Sequence, residues 1–142
     1  MCHLCNYKEL LIETGLEATK NRIRVLEVIG NNGFPLTAGE VYQTLLRSGP
    51  INKVTVYRIL DLFAEKNLVV CLNSFGRLTY YGMGPNHHHI PHAHFLCKQC
   101  GRIDCLDPNS LQVDSTSLWK SFPGQIEGVE VRVDGICKEC MK

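Results

Sequence analysis

No stretch of the chain approaches the roughly 20 apolar residues that a membrane helix needs, so no spanning segment is expected. The first residues, Met1-Cys2-His3-Leu4-Cys5, lack a basic region followed by an apolar run. No secretory signal is therefore expected, and the cytoplasm is the expected compartment. An excess of one charge is also missing: 15 Lys and Arg face 14 Asp and Glu, a net charge of +1. That balance neither supports nor excludes nucleic acid, because a small basic face can hide in a neutral total. A deaminase signature, His-x-Glu with Pro-Cys-x-x-Cys, is absent too. The chain has His92-Ala93-His94 with no adjacent Glu, and no proline precedes its Cys-x-x-Cys pairs. No catalysis is expected.

Cysteine is abundant, with eight in 142 residues. In a reducing compartment such cysteines bind metal rather than pair. Four form two hooks, Cys97-Lys98-Gln99-Cys100 and Cys137-Lys138-Glu139-Cys140, separated by residues 101–136. Four thiolates make a closed tetrahedral zinc site, and a two-residue spacer lets each hook place two sulfurs on one ion. A disulfide pair or a redox motif is the competing reading. Gly101 and Gly135 beside the hooks favour metal-binding knuckle turns over either. Zinc is thus the expected structural cofactor.

The halves differ in content. Gly82-Met83-Gly84-Pro85-Asn86 reads as a boundary, and five cysteines lie beyond it. The expected organisation is α+β: a winged helix-turn-helix unit over 1–82, a hinge over 83–91, and a small α/β dimerisation and metal-binding unit over 92–142. In the first unit a short helix covers 7–14. Thr19 caps a second helix, with Ile23, Leu26, Val28 and Ile29 as its core contacts. Thr37, with Glu40 three residues on, forms a capping box for a third, whose Val41, Leu45 and Leu46 should face inward. Asn52 caps a fourth over about 53–66, where Val56, Ile59, Leu60 and Phe63 recur at helical spacing. The runs 68–73 and 77–81 make a hairpin around Ser74-Phe75-Gly76.

Three helices and a hairpin in that order predict a winged helix whose last helix reads the major groove of double-stranded DNA. Its candidate outward residues are Lys53, Thr55, Tyr57 and Arg58. Arg77 of the wing and Lys20, Arg22 and Arg24 of the second helix are candidate phosphate contacts.

The second unit reads β–β–α–β. Strands are expected over 94–97 and 102–106, a helix capped by Asn109 through about 122, and a strand over 129–133 with Glu130 and Arg132 outward. So little core needs a staple or a partner. Zinc supplies the first and a homodimer the second, with the strand 129–133 as the candidate edge. His92 and His94 fall on one face of a strand, near Cys105 on its neighbour. A His-x-His pair with a thiolate is a three-ligand start for a second, exchangeable metal. Cys71 in the hairpin is the first candidate for the fourth ligand; Cys2, His3, Cys5 and His87–His89 are the reserve. A ligand from any of these would tie the reading unit to the dimer unit.

The chain resembles the ferric uptake regulator family of bacterial metal-responsive repressors. The resemblance rests on Thr19-Lys20-Asn21-Arg22-Ile23-Arg24-Val25-Leu26, Val54-Thr55-Val56-Tyr57-Arg58-Ile59-Leu60, His92-Ala93-His94-Phe95-Leu96-Cys97-Lys98-Gln99-Cys100-Gly101 and Gly135-Ile136-Cys137-Lys138-Glu139-Cys140. It implies that Tyr57 touches bases, that Arg58 and Arg22 touch the DNA backbone, and that the four hook cysteines hold structural zinc. It also places His92 and His94 in a regulatory site at the hinge.

The departures are specific. A further His/acid site of many members would fall on Pro91, Ala93, Gln112 and Val129, none of them a good ligand. Cys105 stands where the family often has an acid, and Tyr81-Gly82 follows Tyr80 where another acid is usual. Glu17 occupies a commonly basic position. Thiolate in place of carboxylate softens the hinge site and favours zinc over iron. The expected function is a metal-dependent dimeric repressor of metal homeostasis. The alternatives are a peroxide-sensing regulator of the same family, or a zinc-stabilised protein-binding module without DNA contact.

Overall fold

The computed structural model describes residues 6–74, 78–84, 86, 92–126 and 128–142. Helix α1 (Tyr7–Glu13) is capped by Asn6, and α2 (Lys20–Gly30) by Thr19. A two-residue strand β1 (Leu36–Thr37) leads into α3 (Ala38–Leu46), where Thr37 and Glu40 form the full capping box. Asn52 Oδ1 accepts from the Val54 amide at the start of α4 (Lys53–Glu65). Each cap satisfies an amide that the first helical turn leaves without a partner.

Strands β2 (Val69–Ser74) and β3 (Leu78–Met83) pair antiparallel, and β1 adds to the far side of β3. Strand β1 was not expected from the sequence, being too short to show a period. Leu11, Val25, Leu26, Val41, Leu45, Val56, Leu60 and Phe63 are almost wholly buried in one core beneath this sheet. Leu46, expected inward, is 40% exposed. It falls at the helix end, one position round from buried Leu45.

Arg24 has a different role from the one its sequence neighbours suggested. Its guanidinium donates to the carbonyls of Leu45, Gly49 and Pro50 at 3.1 Å each, and to Ser48 Oγ and Asn21 Oδ1 at 3.3 Å. It therefore locks the α3–α4 turn onto α2, and its planar fork suits this multiple bonding. That commitment removes it from the candidate phosphate contacts.

The C-terminal part forms a second sheet from β4 (His94–Cys97), β5 (Ile103–Cys105) and β6 (Arg132–Gly135), in the order β5-β4-β6. β4 and β5 are antiparallel, whereas β4 and β6 are parallel. Helix α5 (Ser115–Ser121) crosses between β5 and β6. It is shorter than expected and begins later, because Asp114 rather than Asn109 caps it. The Asn109 amide instead donates to Asp107 Oδ1 in a turn. The last strand lies three residues beyond its expected start. Val129 and Val133 are 48% and 37% exposed, so their alternation with charge does not mark a buried face here.

The two sheets face one another. Along β2, Val70, Leu72 and Ser74 share a side by the two-residue pleat. Leu72 and Tyr80 pack on Leu96 and Ile103 of the second sheet. Ser74 Oγ donates to the Gly101 carbonyl at 2.7 Å.

Candidate metal centres and reading face

The parallel pairing of β4 and β6 brings the hooks together. Cys97 is in register with Gly135, and the Lys98 amide donates to the Gly135 carbonyl at 2.8 Å. All four sulfurs lie within 4.8 Å of one another, with Cys100 Sγ and Cys137 Sγ 3.8 Å apart. A tetrahedron of sulfurs about 2.3 Å from zinc has edges of about 3.8 Å, so the donors fit that ion. The amides of Cys100 and Cys137 point at Cys97 Sγ, at 3.5 and 3.4 Å. Those two N–H donors draw the Cys97 thiol down to about 6. The neighbouring Cys137 sulfur, then burial, pushes Cys140 up to about 12. Without a cation the four thiols cannot all ionise together; zinc supplies that charge.

The two hook glycines serve different ends. Gly101 has φ +79°, the left-handed turn that favours glycine. Gly135 sits in β6, and a Cβ there would meet the Phe95 ring at 3.0 Å. Close approach, not turn geometry, is its reason.

His92, His94 and Cys105 form the second cluster, their donor atoms within 4.8 Å of one another. His94 stands directly opposite Cys105 in the β4–β5 ladder. His92 precedes the strand, but the alternation holds because buried Ala93 lies between the two imidazoles. The rings are 4.7 Å apart. Burial, then His92, lowers His94 to about 4, so this imidazole is neutral and its lone pair free for a metal. Its Nδ1 is buried with no hydrogen-bond partner among the described residues. Burial, then Asp104, raises the Cys105 thiol.

A cavity of about 150 Å³ adjoins this triad. Its other walls are Ile29 of α2, Asn32, Gly33, Phe34 and Pro35 just after it, and Val70, Gly82 and Met83 of the hairpin. Cys71 is not among them. It follows Val70 and so points to the opposite side of β2, where burial, then Asp61, raises its thiol. The structure does not bring the expected fourth ligand to the triad. Cys2, His3, Cys5 and His87–His89 lie outside the described residues.

On α4, Lys53, Tyr57 and Arg58 are exposed, and Lys53 Nζ lies 5.7 Å over the Tyr57 ring. Thr55, beside Arg58 on the helix surface, is half-buried. Val54 joins the exposed residues, 54% exposed and three residues before Tyr57. Val54 is not among the expected outward residues, each of which carries a polar group; its position in the helical period is the signal that marks it. Lys20 is exposed, and half-buried Arg22 gives one N–H to the Glu17 carbonyl at 2.9 Å. Arg77 lies outside the described residues.

Four helices and a hairpin joined to a cysteine knuckle define a winged helix-turn-helix protein with a zinc-type metal centre. The model of the ferric uptake regulator family matches residues 13–132, and the chain belongs to that family. It is similar to the ferric uptake regulation protein of Escherichia coli K12, 29% identical over 131 residues, covering 91% of this chain and 86% of that one. The Helicobacter pylori ferric uptake regulator, described with three functional metal binding sites, shares its fold at TM-score 0.75 and 20% identity, covering 100% and 98% of the two chains. The Campylobacter jejuni peroxide stress regulator matches at TM-score 0.71 and 25% identity, covering 99% and 100%. The chain is thus a metal-responsive transcriptional regulator, of a family that acts as dimers on DNA. No helix among the described residues is long and apolar enough to cross a membrane.

Proposed function

We propose a cytoplasmic, dimeric repressor of metal-homeostasis genes that reads its operator with α4 and senses zinc at the hinge triad. The observation that supports this most is the placement of His92, His94 and Cys105 against a cavity walled by the reading unit. Two imidazoles and a thiolate form a soft donor set, which prefers zinc to iron or manganese. His92, His94 and Cys105 would hold the zinc, His94 through a neutral nitrogen and Cys105 after loss of its thiol proton. The ion would then sit at the cavity walled by Val70 and the residues after α2, where its charge and ligand packing bear on the angle of the reading unit.

On the DNA, Tyr57 and Val54 offer apolar surface to bases, while Lys53, Arg58, Lys20, Arg22 and Arg77 neutralise phosphates. The hook cysteines hold the structural zinc. Similarity to a peroxide stress regulator raises a second reading, in which redox-active iron replaces zinc. The Cys-containing triad speaks for zinc, which has no redox chemistry.

The test is the double variant His94→Ala, Cys105→Ser. It should keep the hook zinc, the fold and the dimer, and lose zinc-dependent binding to a duplex carrying the chain's own promoter. A variant that still responds at the same free zinc concentration removes the triad from the sensor.

A further inference from the structure

Ser74 is the one buried polar side chain among the described residues, 1% exposed at the end of β2. Its hydroxyl does not serve its own hairpin. It crosses to the other sheet and donates to the Gly101 carbonyl at 2.7 Å. Gly101 follows Cys100 directly, and its amide donates back to the Cys97 carbonyl at 2.9 Å, closing the first hook. The contact is tight: a Cβ on Gly101 would lie 2.9 Å from Ser74 Oγ.

We infer that Ser74 is a positioning residue, whose hydroxyl latches the wing hairpin to the four-cysteine knuckle. The structural zinc then sets the wing's position as well as holding its own sheet. The apolar contact between the sheets is small, with Leu72 and Tyr80 against Leu96 and Ile103. One buried hydrogen bond is therefore a large share of what fixes their angle. Losing its donor would leave a carbonyl without that partner inside the contact, which costs more than an exposed bond.

The pleat gives the latch its reach. Val70 lines the hinge cavity, Leu72 enters the shared cluster and Ser74 meets the knuckle. Three successive same-side residues, spanning about 13 Å, thus run from the cavity beside the hinge triad at one end to the cysteine site at the other. Without the Ser74 bond the hairpin is held to the second sheet by the small Leu72 and Tyr80 contact alone, and its Ser74 end is freer to pivot. The consequence for DNA rests on the reading unit proposed above; the latch itself does not.

The experiment compares Ser74→Ala and Ser74→Thr with the wild-type full chain, zinc-loaded under reducing conditions. Metal content and sedimentation come first. Amide exchange by mass spectrometry and promoter-duplex binding follow. Ser74→Ala should keep its zinc and dimer, exchange faster in peptides covering 69–83, and bind the duplex about fivefold more weakly. Ser74→Thr, which keeps the hydroxyl, should restore slow exchange. Wild-type exchange in Ser74→Ala, or equally fast exchange in Ser74→Thr, overturns the latch whatever the DNA result. Faster exchange with unchanged DNA binding keeps the latch and contradicts the role of the wing.

Discussion

Thirteen buried apolar residues hold α1–α4, β1 and β2 around one core. The C-terminal sheet adds only Leu96 and Ile103 to a cluster that it shares with Leu72 of the hairpin. The other buried side chains among the described residues of 92–142 are Ala93, Cys97 and Cys137, two of them hook cysteines. The first region is held by hydrophobic burial and well-made helix caps. The second gathers its hook cysteines at one end, and its large apolar side chains Trp119 and Phe122 are 62% and 51% exposed. Such a sheet leans on metal from within and on a partner from outside. The contrast separates a region held by its own apolar core from one that depends on its cysteines.

The largest expected effect comes from breaking the knuckle. Cys137→Ser should lose the hook zinc, unfold residues 92–142 and abolish the dimer, while α1–α4 keep their helical signal. Structural zinc in small metal-folded units is worth on the order of 10–16 kcal/mol of folding energy. Full zinc content with normal thermal stability in this variant would remove the difference between the two regions.

The opposite substitution should be milder and confined to the other side. Phe63→Ala deletes a ring that is 0% exposed in the helical core, at a cost of about 3–5 kcal/mol. Chemical denaturation should show the first unit weakened, and zinc content should stay at the wild-type level. Coupled loss of zinc would mean that the two regions fold as one.

What the sequence revealed follows the same division. In α4 the recurrence of Val56, Ile59, Leu60 and Phe63 stated the buried face outright, and all four are buried. Thr19, Thr37 and Asn52 marked helix starts because each cap is a local bond between neighbours. The hooks were legible for the same reason, since two-residue spacing is a local property. Beyond the hinge that local logic weakens. Asn109 is the expected cap, but its amide is claimed by the Asp107 turn and Asp114 caps the helix instead. The register of β6 is set by Cys97 meeting Gly135 across the sheet, which no alternation within residues 129–133 records.

Cys71 shows a limit of another kind. The hairpin was visible, but which of its faces turns towards the metal sheet is a tertiary choice. Leu72 took that side, so Val70 lines the cavity and Cys71 cannot. Arg24 carried the same ambiguity: a basic residue among basic residues gives no sign that turn carbonyls will claim it.

The central claim is that two metal centres of different strength serve the two tasks of holding the fold and reporting the metal. The most direct measurement is the metal content of the full chain purified under reducing conditions, before and after mild chelation, with promoter-duplex binding followed in parallel. The expected result is two metals per chain, of which chelation removes one. Fold and dimer should survive, and DNA binding should fall and return when zinc is added back. A single tightly held metal per chain, with DNA binding indifferent to both chelator and added zinc, would contradict it.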